Sequence, residues 1–195
     1  MTLTSLAFGR PGLAVQAGLV LAGSLLIAVA AQIQMPLYPV PMTLQTAAVL
    51  FVGFALGARL GTAAVVAYLV EGALGAPVFA GLKPGAVAFV GPTAGFLLGF
   101  VAMAFVAGWA ADRGWGLVKL SLVGIAASAL IYVPGLAWPA FAAGAAGIEA
   151  GWVGMSGWPL LSAFATPFLV GDAIKAVLAA LVATGGAAAL RNLRG

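Results

Sequence analysis

Apolar residues in this chain fall into long blocks separated by short stretches rich in proline, glycine or charge. The blocks run Leu13 to Ile33, Thr43 to Ala58, Leu60 to about Leu74, Pro92 to Ala111, Leu117 to about Ala137 and Thr166 to Leu190. Most are near the ~20 residues that a helix needs to cross a bilayer, and none alternates apolar and polar positions as a lipid-facing barrel strand would. The pattern predicts an all-α integral membrane protein, a six-transmembrane-helix bundle forming a single domain over residues 1–195. The second block ends at Gly57-Ala58-Arg59 and the third begins at Leu60, so those two helices are expected to be antiparallel neighbours across a tight turn. Three connections are longer. Gln34 to Met42 has three prolines in six residues, which remove amide donors and fix φ, so it is not helix. It is still apolar, and is expected to pack down on the bundle. Gly75 to Gly91 is likewise broken by proline and glycine. Phe141 to Ala165 is rich in glycine and tryptophan, with room for a short interfacial helix and with Trp138, Trp152 and Trp158 suited to the headgroup layer. Pro134, Trp138 and Pro139 are expected to stop the fifth span, and Pro167 to sit in the first turn of the sixth.

Composition makes the bilayer the solvent. The chain is 64% hydrophobic and 6% charged, against about 25% charged residues in soluble domains. The first block has a second reading: Arg10, an apolar run and Ala28-Val29-Ala30 before Ala31 also describe a secretory signal with a small-residue cleavage site. The run is long enough to span, which favours retention. There is no Cys and no His, hence no disulfide, thiolate, imidazole base or histidine metal site. No Gly-x4-Gly-Lys-Ser/Thr loop, nucleophile–base set or carboxylate-rich metal set is present, so the chain reads as neither an enzyme nor an ATPase, with no bound cofactor and no metal.

The net charge of +4 comes from basic residues at segment ends and makes no nucleic-acid-binding face. With six spans, one side holds Arg10, Arg59, Arg113, Lys119, Arg191 and Arg194, and the other only Lys83. By the positive-inside rule both termini are cytoplasmic. The three long connections then face outside and are expected to cap a site there.

The candidate chemistry is concentrated in the last block. The chain has two Asp, two Glu and three Lys, and Asp172 and Lys175 stand three apart within Gly171-Asp172-Ala173-Ile174-Lys175-Ala176. At that spacing they share a helix face. Charges in hydrocarbon are costly and usually face a cavity or a partner. Asp172 lies about 9 Å below the outer start of its span at ~1.5 Å per residue. The pair is expected to floor a ligand site or, as the plainer reading, to be an ion pair that steadies the bundle. Glu71, near the outer end of the third span, is placed either for the site or for simple solvation. Thr43, Gln45 and Thr46 open the second helix from outside, where Thr43 is equally an N-cap. Tyr38 and Phe79, on outer connections, are candidates to stack on a ligand or to anchor in the interface. Lys83 reads as a solvated loop charge, and Tyr68 and Tyr132 equally as helix-packing residues.

Several stretches carry a resemblance. Ala28-Val29-Ala30-Ala31-Gln32-Ile33 followed by Pro36-Leu37-Tyr38-Pro39-Val40-Pro41-Met42-Thr43-Leu44-Gln45-Thr46 resembles the BioY family, the biotin-binding S components of energy-coupling factor (ECF) transporters. Gly53 to Gly61, Gly72 to Gly81, Gly91-Pro92-Thr93-Ala94-Gly95 and Pro167 to Lys175 fit the same family in order, so the likeness runs from about residue 20 to 185. It implies that the first span is retained and that biotin binds from outside. It also implies that Asp172 and Lys175 contact the ligand beneath the Pro36 to Thr46 loop. The implied partners are biotin, the lipid bilayer, a transmembrane coupling (T) subunit and two ABC-type ATPases, which alone would use ATP, in a prokaryotic plasma membrane. Two departures are visible. Lys83-Pro84 stands where a glycine-rich stretch is expected, and Leu21 and Leu25 stand where an Ala-x-x-x-Ala coupling pattern is expected. The alternatives are an S component for another vitamin, a structural membrane subunit, or a small-pore channel.

Overall fold

The computed structural model describes residues 2–9, 11–83 and 85–193; Arg10, Pro84 and Arg194 lie outside the described residues. The protein is a mostly helical, multi-pass membrane protein. Five helical runs are long and apolar enough to cross a bilayer: Leu13–Gln32, Gln45–Ala73, Ala94–Asp112, Leu117–Ala145 and Gly157–Asn192. Large apolar side chains such as Leu21, Leu25, Val118, Leu122 and Val182 are more than half exposed on them, as suits a lipid solvent.

Helix α1 (Leu3–Phe8) is short and stands outside the six apolar blocks. Thr2 Oγ1 caps it by accepting from Ser5 N at 3.2 Å, and Thr4 Oγ1 donates to the Ala55 carbonyl at 3.2 Å. Helix α2 (Leu13–Gln32) leads to a two-stranded hairpin, β1 (Gln34–Met35) with β2 (Met42–Thr43), antiparallel with Gln34 opposite Thr43 and Met35 opposite Met42. The proline-rich loop is its tip. Val40 packs into the core, whereas Tyr38 and Met35 point outward, so the loop packs down only in part.

Helix α3 (Gln45–Ala73) consists of two helical arms that meet at Gly57, where φ is 83° and ψ 175° and the chain reverses. That backbone region favours glycine, the residue without a Cβ. A Cβ on Gly61 would stand 2.9 Å from Gly53 Cα, so the two arms lie back to back, as the tight turn predicts. Asp112 Oδ2 accepts from Ala58 N at 3.0 Å and so caps the returning arm. Helix α5 (Ala94–Asp112) packs along α3 through small residues: a Cβ on Gly53 would meet Ala107 Cβ at 2.9 Å, and Gly108 seats the backbone of Gly57 and Ala58. Such close approach supplies the packing that apolar burial cannot supply in lipid.

The connection after α3 holds a 3-10 turn (Ala80–Leu82) and the short α4 (Gly85–Val90). The fifth span departs from expectation. Helix α6 (Leu117–Leu130) is followed by α7 (Tyr132–Ala137), a π turn (Trp138–Ala142) and α8 (Ala143–Ala145), so neither Pro134 nor Pro139 stops the run. Pro134 falls in the first turn of α7, where an amide donor is not required, and Pro139 in the wider turn that frees its ring from the preceding carbonyl. Trp152 is buried, and Trp138 is partly buried and donates Nε1 to the Gly91 carbonyl at 2.9 Å, so these two serve the protein rather than the headgroup layer. Trp158 is exposed on α9 (Gly157–Phe164), the short helix expected in this connection. Pro167 lies in the turn before α10 (Leu169–Asn192), not inside it.

The bundle has two distinct ends. At one lie the Gly57 reversal, Asp112, α1 against Ala55 and Gly186, and Arg191 lining a groove with Leu3 and Trp115. At the other lie the hairpin, the 3-10 turn and the start of α10, around a cavity.

Candidate ligand-binding site

The hairpin end encloses a cavity that is partly open to solvent. Small-molecule sites join apolar walls to a few placed polar groups. Here Val40 and Pro41 of the hairpin, Phe96 and Phe100 of α5, Ile131, and Phe168 before α10 form the walls. Phe79 closes one side, edge-on to Tyr68 at 5.2 Å and to Phe89 at 5.5 Å.

The floor is a closed polar cluster from three helices. Asp172 Oδ1 accepts from Lys175 Nζ at 3.1 Å and from Thr46 Oγ1 at 3.0 Å, and Oδ2 accepts from Tyr132 Oη at 2.6 Å. Lys175 Nζ also donates to Thr46 Oγ1 at 3.1 Å. All four oxygens and the ammonium therefore have partners although Asp172 and Lys175 are buried, which is the condition for a charge pair to persist in a low dielectric. The i, i+3 spacing on α10 brings the charges together; α3 and the start of α7 bring the hydroxyls.

A second network supports the walls. Gln45 Nε2 donates to Tyr68 Oη at 2.8 Å, Tyr68 Oη donates to the Val78 carbonyl at 3.3 Å, and Thr43 Oγ1 donates to Gln45 Oε1 at 3.1 Å. Gln32 Nε2 donates to the carbonyls of Val78 at 3.3 Å and Phe79 at 3.1 Å, while its Oε1 accepts from Leu82 N at 3.3 Å. The glutamine at the end of α2 thereby clamps the loop that carries Phe79.

Of the residues singled out in the sequence, Asp172, Lys175, Thr43, Gln45 and Phe79 line the cavity. Tyr38 and Glu71 do not. Tyr38 is 84% exposed at the hairpin tip and is not part of the cavity lining. Glu71 Oε2 instead accepts from Ser24 Oγ on α2 in a short hydrogen bond, joining two helices. Three further residues line the cavity, Thr46, Tyr132 and Lys83, whose sequence context alone does not assign them to it. In the sequence Thr46 stands with Thr43 and Gln45 as an opener of the second helix, Tyr132 reads as readily as a packing residue, and Lys83 reads as a solvated loop charge. The departure of Lys83 from the expected glycine-rich stretch was the signal in the sequence. For Tyr132 the signal was its hydroxyl in an otherwise apolar span.

The sequence pattern of the BioY family matches residues 5–192. The chain belongs to the BioY family. Among BioY relatives, a biotin transporter of Thermotoga maritima is 44% identical over 111 residues, 57% of this chain and 66% of that one. A probable biotin transporter of Pyrococcus horikoshii is 36% identical over 81% of this chain and 87% of that one, and a biotin transporter of Rhizobium etli 37% over 74% and 76%. Among solved structures, the S-component for biotin from an ECF-type ABC transporter has a TM-score of 0.68 at 24% identity, covering 93% of this chain and 91% of that one. At that identity the likeness establishes the fold of this BioY protein.

Proposed function

We propose that this protein takes up biotin, acting as the membrane-embedded S component that captures the vitamin at the outer face of a prokaryotic plasma membrane. In this reading the two arms of α3 each count as a crossing, which makes six with α2, α5, α6–α7 and α10, and both termini are cytoplasmic. The basic residues Arg59, Arg113, Lys119 and Arg191 then lie inside, while Lys83 lies outside. Release inward would be driven by a T subunit and two ABC-type ATPases, since the chain has no phosphate-binding loop of its own.

The observation that carries the reading is the composition of the cavity in a member of this family. Biotin has an apolar bicycle, a ureido group with two N–H donors and one oxygen acceptor, and an anionic tail. The aromatic walls suit the bicycle. Asp172 offers acceptor oxygens, and Lys175 a remaining N–H, to polar atoms of the ligand. Calorimetry with the purified protein in detergent tests the reading: saturable one-to-one binding of biotin, unmatched by other vitamins, is expected. No heat of binding with biotin, or tighter binding of another vitamin, would overturn it.

A further inference from the structure

The cavity contains one charge that its surroundings leave unbalanced. Three ionic side chains line it: Asp172, Lys175 and Lys83. The first two neutralise one another at 3.1 Å on the buried floor. Lys83 is exposed at the rim, and among the described residues it takes part in no ion pair. Its position is nonetheless held. It follows the 3-10 turn directly, and the amide of the preceding Leu82 donates to Gln32 Oε1 at 3.3 Å, which ties the base of the side chain to α2.

We infer that Lys83 receives the carboxylate of the ligand, and that the Asp172–Lys175–Thr46–Tyr132 floor receives an uncharged donor–acceptor group. The ligand then lies with its acid toward the rim. The assignment rests on the proposed binding of biotin and sets its polarity in the cavity. The floor has no net charge. Lys175 Nζ has three N–H donors, of which Asp172 and Thr46 occupy two, and Asp172 Oδ2 accepts only from Tyr132. One free donor beside free acceptor capacity suits a ureido group. A carboxylate placed there would meet the Asp172 carboxylate about as closely as the Lys175 ammonium, and like charges at such range repel. At the rim it meets a cation with no competing anion.

The test compares biotin with biotinamide, in which a neutral carboxamide replaces the carboxylate, by competition binding to the full chain in detergent. Lys83→Met is expected to weaken biotin about tenfold, between the small worth of an exposed ion pair and the larger worth of a charge-assisted hydrogen bond. The same variant should leave biotinamide within about twofold, an effect of at most ~0.4 kcal/mol. Lys83→Arg should keep the wild-type preference for the acid. Lys175→Met should weaken both ligands alike. If Lys83→Met leaves the acid-to-amide ratio unchanged, or if Lys175→Met abolishes it, the assignment is overturned while biotin binding stands. If the wild-type protein binds neither compound, the proposed function falls and the assignment with it.

Discussion

Asp172→Asn is the perturbation that bears hardest on the site. It keeps the shape of the side chain and removes the charge that Lys175 Nζ meets at 3.1 Å. Side-chain exposures of 11% for Lys175 and 6% for Asp172 leave little water to compensate. Removing one partner of a buried ion pair costs about 3–5 kcal/mol, because the other charge stays behind unpaired. The cavity admits some solvent, which places the expectation at the lower end, about 3 kcal/mol. For a chain of this size that corresponds to a fall in Tm of about 6–12 °C. The double variant Asp172→Asn with Lys175→Met removes both charges and should recover most of this loss, since a buried pair replaced by neutral groups is often as stable as the original. Biotin affinity should not recover, because the floor has lost its ammonium. Thermal unfolding in detergent and calorimetry on the four proteins of the cycle separate the two effects. A single variant that unfolds at the wild-type temperature would refute the claim that the pair is buried and mutually dependent. A double variant that binds biotin like the wild type would reduce the pair to a structural role.

Other outcomes follow from the same geometry. Tyr132→Phe removes the 2.6 Å hydrogen bond to Asp172 Oδ2 and should cost about 1.5–3 kcal/mol of stability; an unchanged Tm in detergent would show that water replaces the hydroxyl. Gly57→Ala forces a Cβ into a left-handed backbone position and against the Asp112 carboxylate. It should cost at least the ~1–3 kcal/mol of such backbone strain, read as a lower Tm and less protein in the membrane. Glu71→Gln keeps an acceptor for Ser24 and lies outside the cavity, so biotin affinity should stay within about twofold, or ~0.4 kcal/mol; a tenfold loss by calorimetry would place Glu71 in the site. Tyr38→Ala should be equally silent because the side chain is 84% exposed, whereas Phe79→Ala empties a fully packed wall and should cost about 3–5 kcal/mol.

What the sequence determined by itself was set by solvent and by local spacing. A chain with 6% charged residues has to live in lipid, and in lipid a backbone with apolar blocks near 20 residues has to be helical. The reversal at Gly57 was legible because so short a break leaves no room for any other path. Asp172 and Lys175 were legible because charge in a greasy helix is expensive, and because three residues along a helix is one face. Other features depended on how distant helices are rotated against each other, which no local pattern encodes. Only the packed bundle turns Tyr132 and Thr46 toward Asp172, gives Glu71 to Ser24 instead of to the cavity, and leaves Tyr38 exposed at the hairpin tip. Pro134 and Pro139 looked like stops because proline breaks a regular helix. They do not break this run, because a new first turn and a π turn remove the need for their missing N–H groups. Lys83 shows the same division. Its charge and its unusual place were visible in the sequence, but that it stands on the rim follows from Gln32, 51 residues earlier, holding the loop against α2.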